Sequence, residues 1–486
     1  MSRWSRLPEE MRLQVLETLA QDPRHNVVDG TYGLTNYALV CKAWQKIFEK
    51  ANFRRLVLCQ ADLDALDKIP KRCRPYVRHI CLRIEIQEYR PWGNNPEPVI
   101  RPERMEDIAA NNDIIELAVG KLFGVLKSWE KELQKVRPSY RGMALEMSIH
   151  SPSDPKYAYR GVTATALEKG LSWTHEAGLE GAISRIFGGS VHIRFYQNLP
   201  QLNLVTRFIM KRHTRRRISS FTLHQILSRF PHLEDLVYEP WQQSLDTVQD
   251  LVDAGYVNLI KGSLPKGLKR VTLLEDRQNG RAGLLAAIDP AQSAIARTAN
   301  PFVGAALAKR SVDFESLSAS FLVEANDFFR AYKREWTWKA LRSLTLTSMY
   351  LDSKRSSEEI NGMLKAAGDA ALAMPMLQDL EIWNGGPGHA AIFEYHGQRG
   401  EAYIAWHSTW NLAIDSHAVK AWEAVAYKNH GCRLGVHDEH ALIGAGDEFR
   451  HYQDAIRRLR TRRNVISRQS LGELRLELED GCMCCP

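Results

Sequence analysis

No run in this 486-residue chain is apolar over the roughly 20 residues that a membrane-spanning helix needs. The opening stretch lacks the charged-then-apolar layout of a secretory signal, so no membrane partner is expected and cytoplasm or nucleus is the expected location. Of the eight cysteines, the five outside the terminal CMCCP are too scattered for a CxxC pair, so nothing points to a zinc ribbon or a thioredoxin-like site. That ending is not a prenylation box, because Met483 stands fourth from the end, and it reads as a reduced tail. A phosphate-cradling G-K-[ST] loop and a G-x-S-x-G nucleophile turn are both missing. No catalytic residue and no cofactor is expected, and an enzyme is the reading with least support.

Charge is only mildly one-sided, with 65 Lys and Arg against 57 Asp and Glu, a net of +8. That balance permits acidic partners without establishing nucleic-acid binding. Much of the excess lies in KRHTRRR (211–217) and RRLRTRR (457–463). The first is expected as a surface loop or helix end. The second continues a helical pattern set by Phe449, Tyr452, Ile456 and Leu459. Both are expected to be solvated, which makes nucleic acid an unlikely partner.

What is present begins with LPEEMRLQVLETLA (7–20), a helix on its face. Pro8 suits the first helical position, and Glu9 and Glu10 oppose the positive end of the helix dipole. Rotating by about 100° per residue brings Met11, Val15, Leu16 and Leu19 into one arc, which Leu13 widens to roughly 200°. A surface helix needs a stripe only about half as wide. DPRHNVVDGTYG (22–33) is a turn-rich loop. A second helical segment follows at 36–53, again apolar over a wide arc that includes Leu39, Val40, Trp44, Ile47 and Phe48. A unit this small cannot bury all of that surface within itself. One side is expected to pack on the chain and the other on a second protein.

The run Leu7-Pro8-x-Glu10-Met11-x-x-x-Val15-Leu16-x-x-Leu19, followed by Leu39-Val40-Cys41-Lys42-x-Trp44, resembles an F-box. Met11 replaces the usual Ile or Leu, and the connecting loop is longer than in compact examples. The resemblance implies a three-helix module that docks on the Skp-type adaptor of a cullin-RING ubiquitin ligase. Leu7, Pro8, Met11, Val15, Leu16, Leu19, Leu39, Val40 and Trp44 would form the docking face.

Beyond residue 53, short strand-like pieces share an apolar-x-x-apolar-x-apolar frame: FRRLVL (53–58), VRHICL (77–82), YRGMAL (140–145), LEDLVY (233–238), LKRVTL (268–273), LRSLTL (341–346), LQDLEI (377–382) and LGELRL (471–476). The Leu-rich later pieces are spaced by about 35 residues, with one double interval, as in a leucine-rich repeat lacking its asparagine. Helical stretches at 105–133, 312–333 and 358–374 fit between them. The expected fold is α/β: an N-terminal three-helix module followed by an irregular, leucine-rich-repeat-like solenoid, a curved and mostly parallel sheet backed by helices. AIFEYHG (391–397) and AYIAWHST (402–409) flank QRGE as a hairpin, and 416–429 is an amphipathic helix. WNGG (383–386), WHSTW (406–410), AVKAWEAVA (418–426) and VRHICLRIEIQEY (77–89) are similar to stretches of fungal F-box proteins whose C-terminal region has no known chemistry. Three regions follow: a module at 1–55, a repeat-like substrate-recognition region at 56–382, and a hairpin-plus-helix region at 383–486 that completes the solenoid.

His430, Cys432, His437 and His440 cluster beside Asp438 and Glu439, but the spacing is not that of a helix-borne ligand pair and no metal is expected. WNGGPGH (383–389) reads as a turn after a strand, 277–301 as a small-residue-rich stretch, and most tryptophans as core. These readings together point to a non-catalytic adaptor that holds a substrate protein near a ubiquitin-conjugating enzyme, with the repeat surface facing the substrate. Two alternatives stay open: a ligase-independent F-box interaction protein, and a basic nucleic-acid-binding protein acting through 211–217.

Overall fold

In LRSLTLT (341–347), apolar and small polar residues alternate, and a strand sends them to opposite faces. In the computed structural model, Leu344 and Leu346 join the main core while Ser343, Thr345 and Thr347 face the other way. The structure describes residue 4 and residues 7–21, 34–91, 100–136, 142–154, 181, 184–187, 189–242, 249–276, 298–437 and 449–479. The 277–297 part of the small-residue-rich stretch, the 22–33 loop and the CMCCP tail lie outside these residues.

Twelve strands repeat this pattern in one sheet, taken in chain order: β1 (Arg55–Cys59), β2 (His79–Glu85), β3 (Met143–His150), β5 (Val205–Met210), β7 (Asp235–Tyr238), β8 (Arg270–Leu274), β9 (Ser316–Ser320), β10 (Ser343–Thr347), β11 (Asp379–Gly386), β12 (His389–Gln398), β13 (Glu401–Ser408) and β14 (Leu434–His437). All neighbours are parallel except the antiparallel pairs β11–β12 and β12–β13. A two-residue ladder, β4 (Ser190–Val191) with β6 (Arg217–Ile218), stands apart. Gly388 and Gly400, both at positive φ, make the two hairpin turns. The 382/383 boundary cuts through β11, so the last two regions share one sheet.

Parallel neighbours need a crossover, and helices supply it. The chief ones are α5 (Met105–Val136), α6 (Ser220–Leu227), α7 (Gln249–Gly262), α8 (Pro301–Arg310), α9 (Ala325–Arg330), α10 (Ser357–Ala371) and α11 (Ser416–His430). Their apolar sides meet the Leu and Ile of the strands in one continuous core. Each such side chain contributes about 1.5–3 kcal/mol on burial. Trp129, Trp338 and Trp422 are fully enclosed there, in line with the expectation that most tryptophans are core.

The other sheet face is mixed, with Ser, Thr and Glu side chains beside Ile209, Val237, Trp383 and Ile392. One registered row crosses it through Glu146, Ile209, Val237, Thr272, Ser318, Thr345, Glu381 and Glu394. Three helices of the C-terminal segment lie on it: α12 (Tyr452–Arg458), α13 (Arg462–Val465) and α14 (Arg468–Glu479). They enclose a second apolar cluster with Leu274, Phe321, Trp383 and Ile392. The repeat surface expected to face a substrate is therefore covered here by the chain itself.

Two local expectations are corrected. Residues 312–333 are not one helix: Leu317 and Ala319 point to the core from β9, Ser318 and Ser320 point away, and only α9 is helical. Alternation at period two outweighed the apolar residues that happened to fit a helical face. Residues 471–476 are not a strand but part of α14, where Leu471 and Leu474 share one face and Ser467 accepts from the Ser470 amide at 3.1 Å.

Candidate functional site

The N-terminal segment forms three helices: α1 (Glu9–Gln21), α2 (Leu34–Tyr37) and α3 (Lys42–Asn52). Their interior is small and largely aromatic. Leu16 and Phe48 are its buried centre, ringed by Trp4, Leu19, Tyr37, Trp44 and Ile47. Tyr37 and Phe48 pack at a tilt with centroids 5.1 Å apart, and Trp44 lies 5.6 Å from Phe48. This cluster is separate from the main core. Glu49 on α3 joins the module to the body by accepting from Arg72 at 2.8 Å, with Cys73 Sγ 3.5 Å away. The Arg72 hydrogen bond holds the Glu49 carboxyl below its ordinary pKa. Burial first, and Glu49 next, raise the Cys73 thiol to about 11.

The expected docking residues divide in two. Leu7, Pro8, Met11, Val15, Leu39 and Val40 are exposed, Leu39 most of all at 80%. Leu16, at 3%, faces inward, and Leu19 and Trp44 are half-buried around it. Leu16 is the centre of the module's core, and Leu19 and Trp44 pack around it with part of their surface still open. Leu13 is exposed beside Met11 and Val15 and belongs with the outer group. Trp4 precedes the first helical run and carries no local signal, whereas Tyr37 stands seven and eleven positions before Trp44 and Phe48, on the helical face that they define.

The basic run 211–217 is not a solvated loop. Lys211, Arg212, Arg216 and Arg217 are buried. Lys211 donates to Glu146 at 2.8 Å, and Arg212 meets Asp276 at 2.6 Å while stacking over Trp241. Arg216 makes a two-pronged pair with Asp154 at 2.5 and 3.0 Å. Burial alone would raise the Glu146 carboxyl, but His79 and Lys211 overcome it and bring it down to about 2. Burial lowers His213 to about 4. The spacing of carboxylates far away in sequence decided this, and no local signal carries it. In 457–463, by contrast, every arginine is exposed, as expected.

His430 packs near Tyr395 and His437 on Tyr403, two tyrosines that point to opposite sheet faces, and His440 lies outside the described residues. Among the described residues no three potential ligands converge on a metal. None of the described helices is long and apolar enough to cross a membrane.

A model of a family of unknown function, DUF6546, matches residues 263–467. The match takes in β8 to β14 with α12 and α13, including the WNGG, WHSTW and AVKAWEAVA segments, and is less than half the chain. No curated protein matches the sequence.

Proposed function

We propose that this chain is the substrate-recognition subunit of a Skp–cullin–F-box type ubiquitin ligase, acting in the cytoplasm or nucleus. The carrying observation is the N-terminal module: three helices close a core of their own and leave Leu7, Met11, Leu13, Val15, Leu39 and Val40 exposed. Six large apolar side chains left exposed on a module this small support a docking face there. All of them but Leu13 are among the residues that carry the F-box resemblance. The partner is a Skp-type adaptor, itself held on a cullin scaffold. The sheet-and-helix body, read as a leucine-rich-repeat-like solenoid, presents its loops and edges to a substrate protein. The chain's role is to hold that substrate near the conjugating enzyme, raising effective concentration without chemistry of its own.

The test is co-purification with a Skp-type adaptor and cullin. Replacing Leu39 and Val40 by Asp is expected to abolish capture while the melting transition stays put, because both side chains are already in water. Undiminished capture by that variant overturns the reading. The nucleic-acid alternative loses much of its support, since Lys211, Arg212 and Arg216 of the 211–217 run are engaged with buried carboxylates.

A further inference from the structure

The C-terminal segment covers this second sheet face with an apolar cluster and a set of side-chain hydrogen bonds. Its apolar cluster is separate from the main core. Its helices have 7, 4 and 12 residues, too short to persist without the sheet. It is gripped by side chains rising from the strands and the loops that follow them. Glu381 accepts from the backbone N–H of Arg460 at 2.8 Å and of Thr461 at 3.0 Å. Glu239 accepts from the Ser467 N–H at 2.7 Å, and Asp276 from the Tyr452 hydroxyl at 2.6 Å.

The fit is incomplete beneath it. Ser318 Oγ, Ser320 Oγ and Trp383 Nε1 are buried without a hydrogen-bond partner among the described residues. Folded proteins leave few such atoms, and each costs about 1–3 kcal/mol. Phe321, the one non-glycine residue with positive φ among the described residues (+65°), stands at the same place. It meets Tyr452 edge-on at 5.1 Å and Trp383 at 5.2 Å. A phenylalanine held in that backbone region is strained, and such strain collects where a ligand is gripped.

We infer that the sheet face between β7 and β12 is a recognition surface for a polypeptide segment, and that residues 449–479 are its intramolecular occupant. The segment it takes carries a tyrosine for the Phe321–Trp383 corner and, about nine residues later, a Thr or Ser whose hydroxyl and amide, with the amide of the residue before it, meet Glu381. An outside segment that also paired the Ser318, Ser320 and Trp383 atoms would displace the resident one. The inference deepens the adaptor reading, on which it rests only in naming the substrate chemistry.

Two measurements on the full-length chain test it. In hydrogen exchange of the unaltered protein, amides of α12 and α14 are expected to exchange at least about tenfold faster than those of β9 and β10. A single common rate for all of them overturns the inference. A fluorescent synthetic peptide of residues 449–479 is then titrated against three forms: the natural chain, Tyr452→Ala with Thr461→Ala, and an oxidised Thr345→Cys with Thr461→Cys. The two threonine hydroxyls lie 2.7 Å apart, which puts a disulfide there within reach. The weakened form is expected to bind about tenfold more tightly than the natural chain, because its surface is open for more of the time. The locked form is expected not to bind. Binding that ignores the lock, or absence of binding by a weakened form that melts as a folded protein, overturns the inference. Neither measurement involves a ligase component, so its failure and that of the adaptor reading are separable.

Discussion

Both ends of this chain carry short helices with more apolar surface than they can enclose alone, and they meet opposite fates. At the C-terminus, Phe449, Tyr452, Ile456, Leu459, Val465 and Ile466 are covered by the sheet. At the N-terminus, Met11, Val15, Leu39 and Val40 stay exposed. A wide apolar arc thus says that cover is needed without saying who provides it. The sheet offers matched carboxylates to the C-terminal helices, whereas the N-terminal helices are tied to the body mainly beside Glu49 and Arg72.

The comparison can be broken most forcefully at Trp383. Trp383→Ala removes the floor of the C-terminal cluster and is expected to cost about 3–5 kcal/mol in the denaturant transition. Hydrogen exchange should show the loss in α12 to α14 before the β9–β10 amides. Next is Leu16→Ala, expected to cost about 2–5 kcal/mol and to melt the N-terminal helices while the sheet keeps its own transition. If calorimetry shows one merged transition lowered as a whole, the two regions are not independent. Tyr452→Phe deletes a hydrogen bond to buried Asp276, which keeps Arg212, and should cost about 1 kcal/mol.

A pH titration separates two carboxylates on the covered face. Burial raises Glu381 from 4.5 to about 7, against hydrogen bonds from Thr461 and Arg460 and with Glu394 adding to the rise. The folded state therefore holds this proton more tightly than the unfolded chain, and stability falls as pH rises from 4.5 to about 7. Arg460, His396 and Asp379 face the same corner. Glu146 has the opposite sign: its pKa of about 2 lies below 4.5, so its contribution is present above 4.5 and is lost as pH falls toward 2. Glu381→Gln should flatten the upper slope and Glu146→Gln the lower, in denaturant midpoints measured across both windows. The smallest effect on stability belongs to Leu39→Asp with Val40→Asp, expected within about 0.5 kcal/mol of the natural chain. A large destabilisation there would show that these side chains are packed in solution.

Period-two alternation in LEDLVY, LKRVTL, LRSLTL and LQDLEI located four strands, and the QRGE turn located a hairpin, because strand side chains and tight turns are set by near neighbours. The same local logic misread 312–333 and 471–476, where apolar spacing suits both periods and only the packing partner chooses between them. It also found the outer apolar residues of the N-terminal helices, while failing to tell Leu16 from Val15. Adjacent positions on one helix differ by about 100°, and which one turns inward depends on where α3 lies. Length and composition determined that a large core would form, and the local order of apolar residues that strands would alternate with helices. Only the tertiary structure decided that Lys211, Arg212 and Arg216 would be buried, since their carboxylates come from residues 146, 276 and 154. Only the tertiary structure, likewise, laid the C-terminal helices across the sheet, because a contact between residues 381 and 461 depends on distances that no local pattern records.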